Sequence, residues 1–181
     1  MRALAKPFLL AVVLIAWPSL SRAQEIVAQK PNTLGPCRQL GVNLWGLSYH
    51  VNRTTDYDEQ NWGAGLTCYG RPDVKWLGRD ANSQIFFESD ALINSWRGLV
   101  VPLSLGVDYT LKNFDACRLS FIGAMTVAYY QLPQKSASEV RWGPLPGFGV
   151  GCGHVQTKMI LVPSPSRQPL SAVVASMSVV F

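Results

Sequence analysis

Three residues of this chain have the chemistry for acyl transfer: His50, Ser95 and Asn94. A hydroxyl becomes a nucleophile when an imidazole takes its proton, and the charge that develops on the attacked carbonyl needs hydrogen-bond donors. His50 and Ser95 both map to the outer ends of strands, where an acyl ester of the outer leaflet would lie, and the Asn94 amide could be an oxyanion donor. Each also has a plainer reading. A histidine at a strand end serves as an interfacial residue, and Asn-Ser is turn chemistry. Asp56, Asp58 and Glu59 read as a solvated or hydrogen-bonded loop. The four cysteines form no Cys-x-x-Cys, and His50 and His154 lack ligand spacing, so no metal is expected.

The elements that must position these residues are short runs bounded by turn residues. Eight can be counted: Leu40–Val51, Asn61–Gly70, Ser83–Leu92, Leu99–Leu111, Cys117–Gln131, Gly147–His154, Thr157–Pro163 and Leu170–Phe181. Each is near the ~9–11 residues of a tilted membrane strand, and the number is even. In the fourth, Leu99, Val101, Leu103, Leu105, Val107 and Tyr109 oppose Pro102, Ser104, Gly106, Asp108 and Thr110. In the fifth, Leu119, Phe121, Met125, Val127 and Tyr129 oppose Arg118, Ser120, Ala124 and Thr126. In the sixth, glycines 147, 149, 151 and 153 form a small inward face that leaves room inside or lets the wall curve. Glu88, Asp90, Asp108 and Arg118 fall on inward faces and read as a buried polar network that pairs its own charges. His50 and Ser95 fall at strand ends on one side. The connections on that side are Asn52–Gln60, Ile93–Gly98, Leu132–Pro146 and Ser164–Pro169. The longest carries Lys135, Glu139, Arg141 and Trp142 and is the one expected to touch a large ligand.

Both ends of the chain bear on its destination. Residues 1–23 have a basic start, an apolar stretch from Phe8 to Trp17 and a small-residue exit at Ser21-Arg22-Ala23, which reads as a signal peptide. Residues 24–39, with Pro31, Gly35 and Pro36, read as an extended lead-in, and residues 40–181 as the barrel. Cleavage would leave 13 basic residues against 11 acidic ones, which removes the support for a nucleic-acid partner. The last run alternates and closes on Phe181, which resembles the C-terminal signal by which outer-membrane barrels are recognised for insertion. The fold class expected is therefore all-β: an eight-stranded antiparallel transmembrane barrel in the bacterial outer membrane. A soluble exported sandwich shares the composition. On this strand map Cys37 meets Cys68 and Cys117 meets Cys152 across hairpins at the end away from His50. The alternative is that Cys68 and Cys152 are free, small apolar residues.

Several short segments carry a family resemblance. Tyr49-His50, followed by Tyr57-Asp58-Glu59-Gln60-Asn61-Trp62-Gly63-Ala64-Gly65, resembles the lipid A palmitoyltransferase family of outer-membrane barrels. That family has an aromatic-His pair, then a Tyr-Asn-Glu turn leading to Trp-Gly-x-Gly. Asn94-Ser95-Trp96 resembles its Asp-Ser-Trp, and Gly143-Pro144-Leu145-Pro146 its Pro-Leu-Pro. Met159 to Pro163 is similar to its seventh strand, and both chains end in Phe. The likeness runs in order from about Trp45 to Phe181.

The resemblance implies an acyl-binding interior and transfer of a palmitoyl chain from outer-leaflet phospholipid to lipid A, without a soluble cofactor. Phospholipid, lipid A and the barrel insertion machinery are then the expected partners. The family's His, Asp and Ser fall on His50, Asn94 and Ser95. Asn94 departs from the pattern, because an amide can orient an imidazole but cannot stabilise its charge as a carboxylate does. Asp90 is the nearest carboxylate to compensate. The family's N-terminal amphipathic helix is not evident. The alternative function is a non-enzymatic barrel with a structural or ligand-binding role, which the change at Asn94 favours.

Overall fold

The alternating runs pair side by side until the last returns to the first. In the computed structural model, which describes residues 37–51, 58–70, 82–133, 136–163 and 170–181, the chain is all-β. Its strands are β1 (Gln39–His50), β2 (Gln60–Asn61), β3 (Gly63–Gly70), β4 (Ser83–Ile93), β5 (Leu99–Phe114), β6 (Cys117–Leu132), β7 (Ala137–Cys152), β8 (Val155–Pro163) and β9 (Leu170–Val180). Strands β2 and β3, interrupted at Trp62, both pair with β1 and make one stave of the wall. Neighbours in sequence pair antiparallel throughout, and β1 also pairs with β9 from Gly41↔Val180 to His50↔Ala172. The result is a closed eight-stranded antiparallel barrel. Closure gives every stave a partner on both sides along at least part of its length, and eight strands enclose little more than their own inward side chains.

Alternation sets the two faces of the wall. Polar and charged residues are buried inside: Asn43, Thr67, Ser104, Asp108, Ser120, Thr126, Gln156, Lys158 and Ser178. Large apolar residues are exposed outside: Leu66, Phe87, Leu103, Leu105, Phe121, Met125, Val127, Phe148 and Met159. A water-soluble fold has the opposite arrangement.

The two ends differ. At one, two-residue loops close the β5–β6 and β7–β8 hairpins, with positive φ at Asp115 and Gly153, as primed hairpin turns require at their first position. Cys37 is bonded to Cys68 and Cys117 to Cys152 at this end, the pairing the strand map gives. The opposite end holds His50 and the loop from Asn94 to Gly98. The proposed signal peptide, nearly all of the lead-in, residues 52–57, Lys135 and residues 164–169 lie outside the described residues.

One expected boundary needs correction. The segment Leu132–Pro146 is not a long loop: Ala137 onward is strand, so Glu139, Arg141 and Trp142 stand on β7. Pro144 and Pro146 pair with Met125 and Gly123 of β6 without breaking the strand. Pairing of β7 with β8 is confined to Gly147–Cys152. The prolines therefore occupy a stretch with one bonded edge, the position a residue without an N–H tolerates.

Candidate active site

A bulge in β1 brings His50 inward. Gly41 and Asn43 face the interior, but the register against β9 shifts between Asn43 and Trp45, and one extra residue is absorbed there. Beyond the bulge the parity is reversed, so Gly46, Ser48 and His50 take the inward positions while Tyr49 is exposed. His50 Nε2 reaches Ser95 Oγ at 2.9 Å, although 45 residues separate them. Ser48 Oγ lies 3.0 Å from the same oxygen.

Ser95 is held by the loop that joins β4 to β5. The Asn94 N–H donates to the Gly98 carbonyl at 2.7 Å, and Arg97, with φ of 62°, returns its N–H to the Asn94 carbonyl. The Asn94 side chain is engaged at both ends. Its Nδ2 donates to the Gln131 carbonyl at 2.8 Å, while its Oδ1 accepts from the Trp96 and Gly98 N–H groups at 3.0 and 2.9 Å. The structure thus joins His50 and Ser95, and ties Asn94 to the backbone of the loop and of β6. The segment before β2 completes the rim: Asp58 N–H donates to the Ser95 carbonyl, Ser48 N–H to the Glu59 carbonyl, and Asn61 Nδ2 to the Ile93 carbonyl. Ser95 is 8% exposed and His50 half-buried.

Below the rim the interior has two zones. Near the cysteine end it is sealed. Tyr69, Phe86 and Ile122 form the apolar cluster, and the charges pair around it. Lys158 bonds Glu88, Thr67 donates to Glu88, and Tyr69 donates to Gln156. Gln156 and Arg118 donate to Asp108 at 2.9 and 3.3 Å. Asp90 accepts from Asn43 at 2.6 Å and so belongs to the interior network. The glycine face of β7 is filled: a Cβ at Gly149 would meet Ser120 Oγ at 2.8 Å and Ile122 Cδ1 at 3.2 Å. Toward His50 the inward residues become small or apolar. Pro102, Ala124, Leu145, Ile160, Val162 and Val174 on this inward face are only partly buried, and Ala124 and Ile160 pack against the apolar cluster.

Four residues of the site and its floor were not singled out in the sequence. Ser48 carries a signal, because it stands two residues before His50 and a strand puts such residues on one face. Lys158 and Gln156 are likewise legible as alternate positions of β8, and Tyr69 of β3. His154 lies at the other end, where its Nδ1 is 2.8 Å from the Val180 carbonyl oxygen. A polar depression of about 330 Å³ beside it is lined by Gln84, Arg118 and Gln156.

Compared with protein-family models and with curated proteins, the chain matches none.

Proposed function

We propose that this protein is an outer-membrane barrel of the lipid A palmitoyltransferase type, which moves an acyl chain from a phospholipid to lipid A. The observation that carries the reading is the 2.9 Å contact between His50 Nε2 and Ser95 Oγ at the rim of the barrel. Membrane placement is supported by the polar interior and apolar exterior. Exposed Tyr49, Trp62, Tyr129 and Trp142 near the His50 end, and Tyr109, Phe114 and Phe181 near the other, fit the aromatic belts of two membrane interfaces.

In this reading the acyl chain occupies the small-residue and apolar space above the sealed floor. The part of β7 that lacks pairing with β8 offers a lateral route from the lipid. His50 Nε2 takes the Ser95 proton, and Ser95 Oγ attacks the phospholipid ester carbonyl. Collapse of the tetrahedral adduct breaks the ester C–O bond, and His50 returns the proton to the departing lysophospholipid oxygen. An acyl-Ser95 ester remains. A lipid A hydroxyl then gives its proton to His50, attacks that ester and leaves with the chain, while Ser95 recovers its proton. No soluble cofactor enters the balance. Asn94 holds the loop that presents Ser95.

The second reading is a structural or ligand-binding barrel without catalysis. It is favoured by Asn94, which brings no carboxylate to the imidazole and whose side chain engages the loop N–H groups of Trp96 and Gly98. Mass spectrometry of lipid A separates the two. Cells expressing the chain should gain one acyl-chain increment that is missing with His50→Ala or Ser95→Ala at equal outer-membrane levels. No increment from the unaltered, folded chain would favour the second reading.

A further inference from the structure

Among the described residues, Ser95 Oγ has two side-chain hydrogen-bond partners: His50 Nε2 at 2.9 Å and Ser48 Oγ at 3.0 Å. A hydroxyl carries one proton and two acceptor sites, so where Ser95 gives its proton to one of these two neighbours it can point in either of two directions. In one, Ser48 donates to Ser95 and Ser95 donates to His50. In the other, His50 donates to Ser95 and Ser95 donates to Ser48. Only the first leaves an imidazole able to take the Ser95 proton. We propose that Ser48 is a positioning residue for Ser95: its hydroxyl donates into Ser95 Oγ and directs the Ser95 proton onto His50 Nε2. The proposal rests on the acyl-transfer reading given above.

The surroundings of Ser48 suit this role. It is 6% exposed, its N–H is held by the Glu59 carbonyl at 2.9 Å, and it pairs with Val174 across β9. Its Oγ is thereby fixed beside Ser95. While His50 draws the Ser95 proton away and the new bond from Oγ is still incomplete, electron density on Oγ rises and the Ser48 bond gains charge-assisted character. The bond is stronger in the transition state than in the resting site, the condition for a contribution to rate. The N–H groups of Trp96 and Gly98, next to Ser95 in the loop, are engaged by Asn94 Oδ1.

The test is covalent labelling of the full chain, folded in detergent, by an alkyl fluorophosphonate. Labelling forms the Ser95 Oγ–P bond, breaks P–F, and passes the serine proton through His50 to fluoride. Ser48→Ala should slow labelling at Ser95 by at least about tenfold, in keeping with loss of one donor at a reacting oxygen. Ser48→Thr, which keeps the hydroxyl, should restore most of the rate. Ser48→Cys, similar in shape with a weak donor, should stay slow. Ser48→Cys as fast as Ser48→Thr would reduce Ser48 to a space-filling tie between β1 and the loop. An unaltered chain that takes no label at Ser95 would also overturn the proposal. Lipid A masses from the same cells keep the two ideas apart. Labelling that depends on Ser48 without a new acyl increment sinks the transfer reading and leaves Ser48 in its role.

Discussion

Lys158 pairs with Glu88 across the full width of the barrel, from strands that stand diametrically opposite in the closed wall. The Lys158 ammonium also lies 4.9 Å from the Phe86 ring centre and 5.5 Å from that of Tyr69, within cation–π range. Both charges are largely buried, at 3% and 16% side-chain exposure. Removing one strands the other in a low-dielectric interior, which costs about 3–5 kcal/mol, whereas replacing both with apolar groups of similar volume is often close to neutral. Lys158→Met should therefore lower unfolding stability by about that amount. The double change Lys158→Met with Glu88→Leu should recover most of it. Urea unfolding in detergent micelles measures both, and equal losses for the single and double variants would contradict the pairing argument.

The disulfides act at the end remote from His50. They span 31 and 35 residues, and loop-closure entropy gives each about 3–4 kcal/mol of stabilisation. Replacing Cys117 and Cys152 together by serine should lower the unfolding midpoint accordingly. Acyl transfer at moderate temperature should be preserved, because neither sulfur lies near the rim. A loss of transfer with the barrel still folded would show that the two ends are coupled.

The faces of β5 up to Thr110 and of β6 were legible because each alternates with a period of two, so Asp108 and Arg118 could be assigned inward from the sequence. Strand β7 was less so. Pro144 and Pro146 are turn residues in most settings, and nothing local tells that the strand has one bonded edge there. The glycines of that strand suggested interior room, yet Ser120, Ile122 and Arg118 from β6 occupy the space they leave. At the rim, His50 and Ser95 could be set on the same side of the molecule by counting strands. Their contact depends on the bulge between Asn43 and Trp45, which reverses parity and has no residue signature here. The two hydrogen-bonding ends of Asn94 were equally invisible, since their partners include Gln131, 37 residues away.

The β7 glycines give a graded test of interior packing. Gly149→Val would press a branched side chain against Ser120 Oγ and Ile122 Cδ1, and overpacking of this kind costs about 1–3 kcal/mol. Gly143 is on the same inward face, but a Cβ there meets nothing within 4 Å. Gly143→Ala should change stability by no more than about 0.5 kcal/mol. Unfolding midpoints that fell equally for both would mean that the lower interior is no more tightly filled than the upper.

Asn94→Asp decides whether position 94 is a missing carboxylate or a loop tie. If a carboxylate there were all that the site lacked, the substitution would raise acyl transfer. The geometry argues for a loss. Asn94 Nδ2 donates to the Gln131 carbonyl, and an aspartate would set an acceptor against that acceptor. Losing this part-buried hydrogen bond costs about 0.5–1.5 kcal/mol. The Trp96 and Gly98 N–H groups would still find an acceptor, so the loop should persist with its anchor to β6 broken. Ser95, next in the chain, would then lose its fixed place beside His50. The expected result is lower stability in urea together with reduced labelling of Ser95 and reduced transfer to lipid A. A gain in transfer at unchanged stability would instead identify residue 94 as the absent third member of the site.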